Sequence, residues 1–281
     1  MLLYAFLVST SFPVGKAITD QIDPVVVSFL RFLLATGAFL ILLVLREKIK
    51  LPRPRDLGRY AIISFSIGAF FVLMFEALKS TTPVKTGAIF TLLPLISGLI
   101  GYGLMGIRVS GRQLSGLLIG SMGAIWVLFE GSLTALLNFD LGRGDYLFAL
   151  GVLSFAAYAP LIKKLHRGES TVALTFWVVA CGTVLLALYG APQIVRTDWR
   201  SLDGSVYLAI AYLGLFNTAG TFFLAKFASV RLPPAKVMAY TYLTPGFVAA
   251  LSVGSHGLPG FSVLAGIAVT IVAMVLLQRA N

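Results

Sequence analysis

A few polar or amphipathic side chains lie inside long apolar stretches of the chain, and they are the residues that could do chemistry. These residues are Ser11, Arg31, Glu76, Thr91, Trp177, Asn217 and Tyr242. Together they offer a cation, an anion, hydroxyls and an amide, which suit the recognition of a small solute. Catalysis would need a nucleophile beside a base, or a metal ligand set. Both histidines, His166 and His256, lie in polar connections, and no GxSxG or GxxxxGK sequence occurs. We therefore predict a binding site, no enzyme activity, and no cofactor or metal.

The composition is that of a membrane protein. Of the 281 residues, 58% are hydrophobic and 12% are charged, and the mean hydropathy is +0.93. Apolar runs of about twenty residues recur, each long enough to cross roughly 30 Å of hydrocarbon. The net charge of +11 lies mainly in short connections, where basic residues determine topology. We therefore predict that the chain lies in a lipid bilayer and binds no nucleic acid.

The apolar runs predict an all-α fold of ten transmembrane helices. The spans run roughly over residues 2–19, 24–45, 57–78, 82–106, 113–129, 146–165, 171–189, 205–228, 233–254 and 261–277. Lysine and arginine are concentrated in the connections that follow even-numbered spans and near the C-terminus. The positive-inside rule then places both termini in the cytoplasm.

Two segments in different halves of the chain resemble each other. KTGAIFTLLP ends at Pro94 and KVMAYTYLTP ends at Pro245, and in this alignment Thr91 matches Tyr242. A proline inside a helix removes a backbone hydrogen bond and bends the axis, so the match predicts two equivalent bends. We predict two five-helix repeats, residues 1–133 and 134–281. Because five is odd, the second repeat must be inverted relative to the first, an arrangement typical of transporters.

Longer segments are similar to a known family. The relevant stretches are SFPVGK, DPVVVSFLRFLLA, EALKSTTPVKTGAIFTLLP and AKFASVRLPPAKVMAYTYLTP. They resemble the drug/metabolite transporter superfamily, in particular its EamA-type bacterial members. The resemblance implies a ten-helix exporter of amino acids or other small metabolites in the bacterial inner (plasma) membrane. It also implies a central cavity between the two repeats.

Two of the charged residues within the predicted spans, Arg31 and Glu76, each have two interpretations. Arg31 lies roughly 10 Å inside the second span, where a charge is costly unless it faces a polar cavity or a partner. It either orients helices or contacts substrate. Glu76 could form a local surface pair with Lys79, three residues later. Alternatively, its carboxylate could meet a substrate amine or carry a proton, which makes the proton a candidate coupling ion.

The uncharged candidates also have two interpretations. Asn217, with Thr218 and Thr221, and Tyr242, with Tyr240 and Thr244, could join helices or line a cavity. Trp177 would suit the wall of a cavity for apolar solutes, whereas the phenylalanines are assigned to packing or lipid contact. Lys16, Lys85 and Lys236 could anchor at headgroups. Lys85 and Lys236, which match in the two segments, could alternatively bind a carboxylate or phosphate, and Glu130 is assigned to the solvated interface.

These features favour a secondary active transporter of small organic solutes that works by alternating access, with Pro94 and Pro245 as hinges, and the family resemblance implies that the direction is export. A passive channel remains the alternative from another class. Transport of a phosphorylated or nucleotide-sugar substrate is the alternative within the same class.

Overall fold

The computed structural model describes residues 1–46, 51–106, 110–229, 237 and 239–279. Over these residues all the regular secondary structure is helical. The first half contains α1 (Leu2–Ile18), α2 (Pro24–Arg46), α3 (Pro54–Leu78), α4 (Pro83–Phe90), α5 (Leu93–Met105), α6 (Gly111–Leu128) and α7 (Leu133–Leu137). The second half contains α8 (Arg143–Ala156), α9 (Tyr158–Leu165), α10 (Thr171–Arg196), α11 (Gly204–Ala211), a π-helical segment (Tyr212–Gly220), α12 (Thr221–Ser229), a 3-10 turn (Tyr240–Leu243), α13 (Thr244–His256) and α14 (Phe261–Arg279).

Within the described residues, seven helices are long and apolar enough to cross a membrane. They are Pro24–Arg46, Pro54–Leu78, Pro83–Met105, Arg143–Leu165, Thr171–Arg196, Gly204–Ala225 and Phe261–Arg279. The expectation of a multi-pass, all-α protein is therefore confirmed. The other three predicted spans correspond to α1, to α6 and to the segment that ends in α13. Ten spans remain a prediction.

Two of the helical segments are interrupted just before a proline. A turn at Thr91 and Leu92 separates α4 from α5, and Pro94 is the second residue of α5. The 3-10 turn precedes α13, whose second residue is Pro245. Proline has no N–H and is tolerated in the first helical turn, so both prolines begin a new helix. The interruptions occur where the sequence predicts bends.

The most extensive helix–helix contacts join α2 with α10, α3 with α8, and α6 with α14. The π-helical segment packs between α1 and α2. A buried aromatic cluster lies among these helices, with Phe70 stacked on Phe155 at 4.8 Å between ring centroids. This arrangement brings residues of α1, α2, α3 and the π-helical segment to one place in the interior.

Candidate functional site

A hydrogen-bonded polar cluster centred on Arg31 lies in the interior. The Arg31 side chain is buried at 1% exposure. Its Nε donates to Thr218 Oγ1 at 2.5 Å, and its Nη2 donates to Asn217 Oδ1 at 2.8 Å. The Ser11 hydroxyl donates to the same Asn217 oxygen at 2.5 Å. The cluster therefore joins α1, α2 and the π-helical segment through three residues that the sequence singles out and a fourth, Thr218, from the predicted polar patch.

The π-helical segment explains how Asn217 and Thr218 both reach Arg31. Such wide turns are rare and often occur at functional sites. The Thr218 hydroxyl donates to the Leu213 carbonyl, five residues earlier, at 2.9 Å. The Asn217 amide donates to the Leu7 carbonyl and, at 3.2 Å, to Thr10 Oγ1. The Asn217 side chain is thus fixed by partners on both sides, with its oxygen turned toward the cation.

The Arg31 charge has no carboxylate partner among the described residues, where each ion pair involves another cation. Its Nη1 is buried without a hydrogen-bond partner. The guanidinium carbon lies 4.0 Å from the centroid of the Phe71 ring, a cation–π contact. A buried guanidinium with neutral partners and one unused nitrogen can accept an anionic ligand.

The Arg31 side chain lines a cavity of about 170 Å³, here called the central cavity. Its polar lining comes from Tyr4, Ser11, Arg31, Tyr158, Asn217, Thr218 and Thr221. Its apolar lining comes from Val8, Phe12, Ile67, Phe70, Phe71, Met74, Phe90, Phe155, Ala159, Phe222 and Ala225. Phenylalanines thus make up more than half of the apolar lining residues, although the sequence assigns them to packing or lipid contact. A one-sided group of hydrogen-bonding residues in an aromatic pocket is a common design for a small-molecule site.

Four other predicted site residues lie elsewhere. The Glu76 carboxylate pairs with Lys79 at 2.8 Å and is 38% exposed. Thr91 is buried, and its hydroxyl donates to the Ala88 carbonyl at 2.6 Å within the same helical turn. Tyr242 is buried and donates to the Leu117 carbonyl at 3.1 Å. None of the three, nor Trp177, is among the residues that line the central cavity.

Trp177 lines a second cavity of about 550 Å³ between the ends of α2, α3 and α10. An ion-pair network borders this cavity. Arg59 Nη2 contacts Asp56 at 2.7 Å and Glu169 at 2.5 Å, and Arg59 Nη1 donates to the Leu165 carbonyl. Burial disfavours the Glu169 carboxylate, but hydrogen bonds from the Arg167 backbone N–H and from Arg59 outweigh it and lower the pKa of Glu169 to about 2. Sequence reasoning missed this network, because only the Asp56–Arg59 spacing is local.

Two of the three predicted interfacial lysines form contacts at the ends of the helices. Lys16 donates to the carbonyls of Leu78 and Lys79 at 2.5 and 3.2 Å. Lys85 pairs with Glu130 at 3.1 Å, and the Glu130 side chain is 67% exposed. Pro94 and Pro245 lie at the helix interruptions described above. Lys236 lies outside the described residues.

Comparisons with known proteins agree with this architecture. The model of the EamA-like transporter family matches residues 1–129 and 142–279. The chain is 23% identical over 220 residues to the uncharacterized transporter YyaM of Bacillus subtilis, covering 78% of this chain and 72% of YyaM. It is 25% identical over 250 residues to the uncharacterized transporter YetK of the same organism, covering 85% and 73%.

A solved structure shares the fold. It is titled "Crystal structure of protein" and superposes with a TM-score of 0.73 at 19% identity, covering 98% of this chain and 94% of the other. The family match over both halves and the curated relatives show that the chain is a multi-pass membrane transporter and belongs to the EamA-like transporter family.

Proposed function

We propose that this transporter is a secondary active exporter that moves a small organic solute through the central cavity by alternating access. The observation that carries the proposal is the composition of the cavity wall. Ser11 and Arg31 come from the first half of the chain, whereas Asn217 and Thr218 come from the second half. A site shared between two halves changes shape when one half rocks against the other.

The pattern of helix contacts supports two inverted five-helix repeats. The repeats pair α1 with α8–α9, α2 with α10, α3 with the segment from α11 to α12, α4–α5 with the segment ending in α13, and α6 with α14. Exchanging each helix for its equivalent converts the α3–α8 contact into the contact between the π-helical segment and α1. The same exchange converts the α3–α10 contact into the contact between the π-helical segment and α2. It also converts the α1–α13 contact into the contacts that α8 makes with α4 and α5.

Three further contacts are their own equivalents under this exchange: α2 with α10, α4 with α13, and α6 with α14. Such self-paired contacts are expected on a twofold axis. The pattern favours a pseudo-twofold relationship between residues 1–133 and 134–281, and with it ten spans.

Contacts at the two ends of the bundle are consistent with the proposed topology. Arg59 at the start of α3 contacts Glu169 just before α10, and both follow even-numbered spans, on the proposed cytoplasmic side. Thr81 before α4 donates to Asp145 at the start of α8, and both follow odd-numbered spans. This agreement supports the division of the connections between two ends of the bundle, and the assignment of the even-numbered end to the cytoplasm of a bacterium rests on the positive-inside rule and the family resemblance.

The two proline-interrupted segments meet at Gly87, which makes them candidates for the moving parts. A Cβ at Gly87 would lie 3.3 Å from Val248 Cγ2 and 3.6 Å from the Cα of Pro245. A glycine at such a contact lets two helices approach closely, and each of these segments is interrupted where a proline allows the axis to bend. We assign hinge roles to Pro94 and Pro245 on this basis.

The substrate class and direction follow from the family resemblance, which favours export of amino acids or related metabolites. The proton is the candidate coupling ion. Glu76 is the candidate proton carrier, because its side chain is 38% exposed and that of its partner Lys79 is 37% exposed. Solvent can therefore reach the pair.

Counterflow in proteoliposomes tests the proposed mechanism. Vesicles loaded with a high concentration of unlabelled solute are diluted into a trace of labelled solute. A carrier that alternates between two faces accumulates label transiently above its external concentration, whereas a channel only equilibrates it. Accumulation for at least one amino acid or metabolite is the expected result. Equilibration without overshoot for every permeating solute would contradict alternating access.

A further inference from the structure

We propose that the central cavity takes an organic monocarboxylate with an apolar, aromatic body in preference to a zwitterionic amino acid. This inference rests on the proposed function, because it names the solute class of that same cavity. It departs from the class that the family resemblance favours. It follows from the charges present in the cavity and from those absent among its lining residues.

The cavity carries one positive charge that the described residues leave uncompensated. Arg31 is 1% exposed, and its hydrogen-bond partners Asn217 and Thr218 are neutral. Burying an unpaired charge costs several kcal/mol. A ligand carboxylate would supply the missing negative charge and accept a hydrogen bond from the unpartnered Nη1. The free energy of the site is therefore lowest when an anion is bound.

The same lining offers little to an ammonium group. No aspartate or glutamate is among the lining residues that the structure describes. The Thr218 hydroxyl oxygen already accepts from Arg31, the Asn217 oxygen already accepts from Arg31 and Ser11, and the Phe71 ring is occupied by Arg31. Glu76, the predicted partner of a substrate amine, pairs with Lys79 outside the cavity. A zwitterion would therefore lose the hydration of its ammonium group without a replacement anion.

Size and charge also favour a carboxylate over a phosphorylated solute. The volume of about 170 Å³ lies below the roughly 300–1,000 Å³ of sites for drug-sized ligands. One guanidinium balances one negative charge, whereas a phosphate monoester carries nearly two at neutral pH. The rings of Phe70, Phe90 and Phe155 provide an apolar wall for the body of the solute.

Three solutes with the same phenylethyl body separate the charge requirements. They are 3-phenylpropanoate, phenylalanine and phenethylamine, which at pH 7 are an anion, a zwitterion and a cation. Binding to the purified full-length protein in detergent is measured by isothermal titration calorimetry. We expect the Kd of 3-phenylpropanoate to be at least about tenfold lower than that of phenylalanine, because both carry the carboxylate but only phenylalanine must bury an ammonium group without a counter-charge. Phenethylamine should bind weakest. Equal or tighter binding of phenylalanine, or no binding of 3-phenylpropanoate at millimolar concentrations, would overturn the proposal.

Asn217→Asp provides a second test, because it places a carboxylate on the oxygen position that already accepts from Arg31 Nη2 at 2.8 Å. The built-in counter-charge should raise the Kd of 3-phenylpropanoate at least about tenfold. The difference between its Kd and that of phenethylamine should become smaller. Asn138→Asp, at an exposed position outside both cavities, is the matched control and should leave all three Kd values unchanged. Monodisperse elution verifies that each variant is folded. An unchanged anion affinity in folded Asn217→Asp contradicts the proposal, and if that variant does not fold, the wild-type ranking decides.

Counterflow of the same three solutes distinguishes this inference from the proposed function. Tight binding of 3-phenylpropanoate without counterflow would support the anion site and refute the transport role assigned to the cavity. Counterflow of phenylalanine without any preference for the anion would refute the anion site and leave alternating access intact. Counterflow that follows the order of the binding constants supports both.

Discussion

Arg31 and Asn217 lie 186 residues apart in the chain and are joined by a 2.8 Å hydrogen bond in the interior. The bond links α2, in the first half, to the π-helical segment, in the second half. Because Ser11 of α1 donates to the same Asn217 oxygen, a change at any of the three positions alters the other two. The cation is therefore held in place by neutral groups, and its charge is left available to a solute.

Arg31→Lys should preserve the positive charge and remove the planar hydrogen-bonding geometry of the guanidinium. A lysine ammonium is a point charge on a flexible stem and lacks the planar fork through which Arg31 Nε and Nη2 reach Thr218 and Asn217. We expect the counterflow rate to fall at least about tenfold, since each lost charge-assisted hydrogen bond contributes about 1.5–3 kcal/mol. Counterflow in proteoliposomes at matched protein density measures the change. A rate equal to wild type would show that charge alone suffices and that the hydrogen-bond geometry has no role.

The Arg59–Glu169 pair should stabilise the fold equally over the neutral pH range. The pKa of Glu169 is lowered to about 2, below the value of about 4.3 for an unperturbed glutamate. Its contribution to stability is therefore fully present above the unfolded pKa and is lost as the pH falls through the folded pKa. Glu169→Gln should lower the unfolding temperature in detergent by the same amount at each pH from 5 to 8. A difference that shrinks steadily between pH 8 and pH 5 would refute this assignment.

Glu76→Gln is the comparison for that measurement of stability. Its pair with Lys79 is exposed at 38% and 37%, and exposed ion pairs contribute only about 0–1 kcal/mol. The Glu169 side chain is 18% exposed and Arg59 is 8% exposed. We therefore expect Glu169→Gln to destabilise the protein more than Glu76→Gln does. The opposite order would mean that burial of the Arg59 network adds nothing to its strength.

Features that depend on local spacing could be predicted from the sequence. The helical character of the apolar runs follows from their length and composition, and Pro94 and Pro245 mark the interruptions because proline cannot donate a backbone hydrogen bond. Arg31 could be identified as a cavity residue, because a charge deep in an apolar span needs a polar environment. Ser11 and Asn217, which share its hydrogen-bonded cluster, also belong to the predicted set of site residues, whose role in substrate binding stays a prediction.

Features that depend on which side of a helix faces inward could not be predicted. A phenylalanine is equally suited to lipid, to packing and to a cavity wall, so the roles of Phe71 and Phe90 were not visible in the composition. Trp177 has the right chemistry for a cavity, but the helix rotation directs it to the cavity beside Arg59. The partner of Arg59 lies 110 residues away, and no local pattern reveals such a pairing.

Replacing Pro94 and Pro245 with alanine tests the hinge role. Each alanine restores a backbone N–H where the helix now restarts, and so favours a continuous, stiffer helix. We expect slower counterflow in both variants, with unfolding temperatures close to wild type. The control is Pro52→Ala, which lies outside the helices and should leave the rate unchanged. Wild-type rates in both hinge variants would refute the assignment.

Gly120→Ala should loosen the contact between α6 and the 3-10 turn that contains Tyr242. A Cβ at Gly120 would overlap the Tyr242 ring, which is fully buried and donates to the Leu117 carbonyl. Overpacking of this kind costs typically about 1–3 kcal/mol. Gly103→Ala is the matched control, because a Cβ there meets nothing within 4 Å and alanine is the better helix former. Thermal unfolding in detergent should show a lower midpoint for Gly120→Ala and an equal or higher one for Gly103→Ala.

A double-mutant cycle tests whether the ring of Tyr242 is the cause. Adding Tyr242→Leu to Gly120→Ala should lower the free energy of unfolding by less than the sum of the two single changes, because the overlap is then relieved. Strict additivity would mean that the Gly120–Tyr242 contact does not fix the position of the turn against α6.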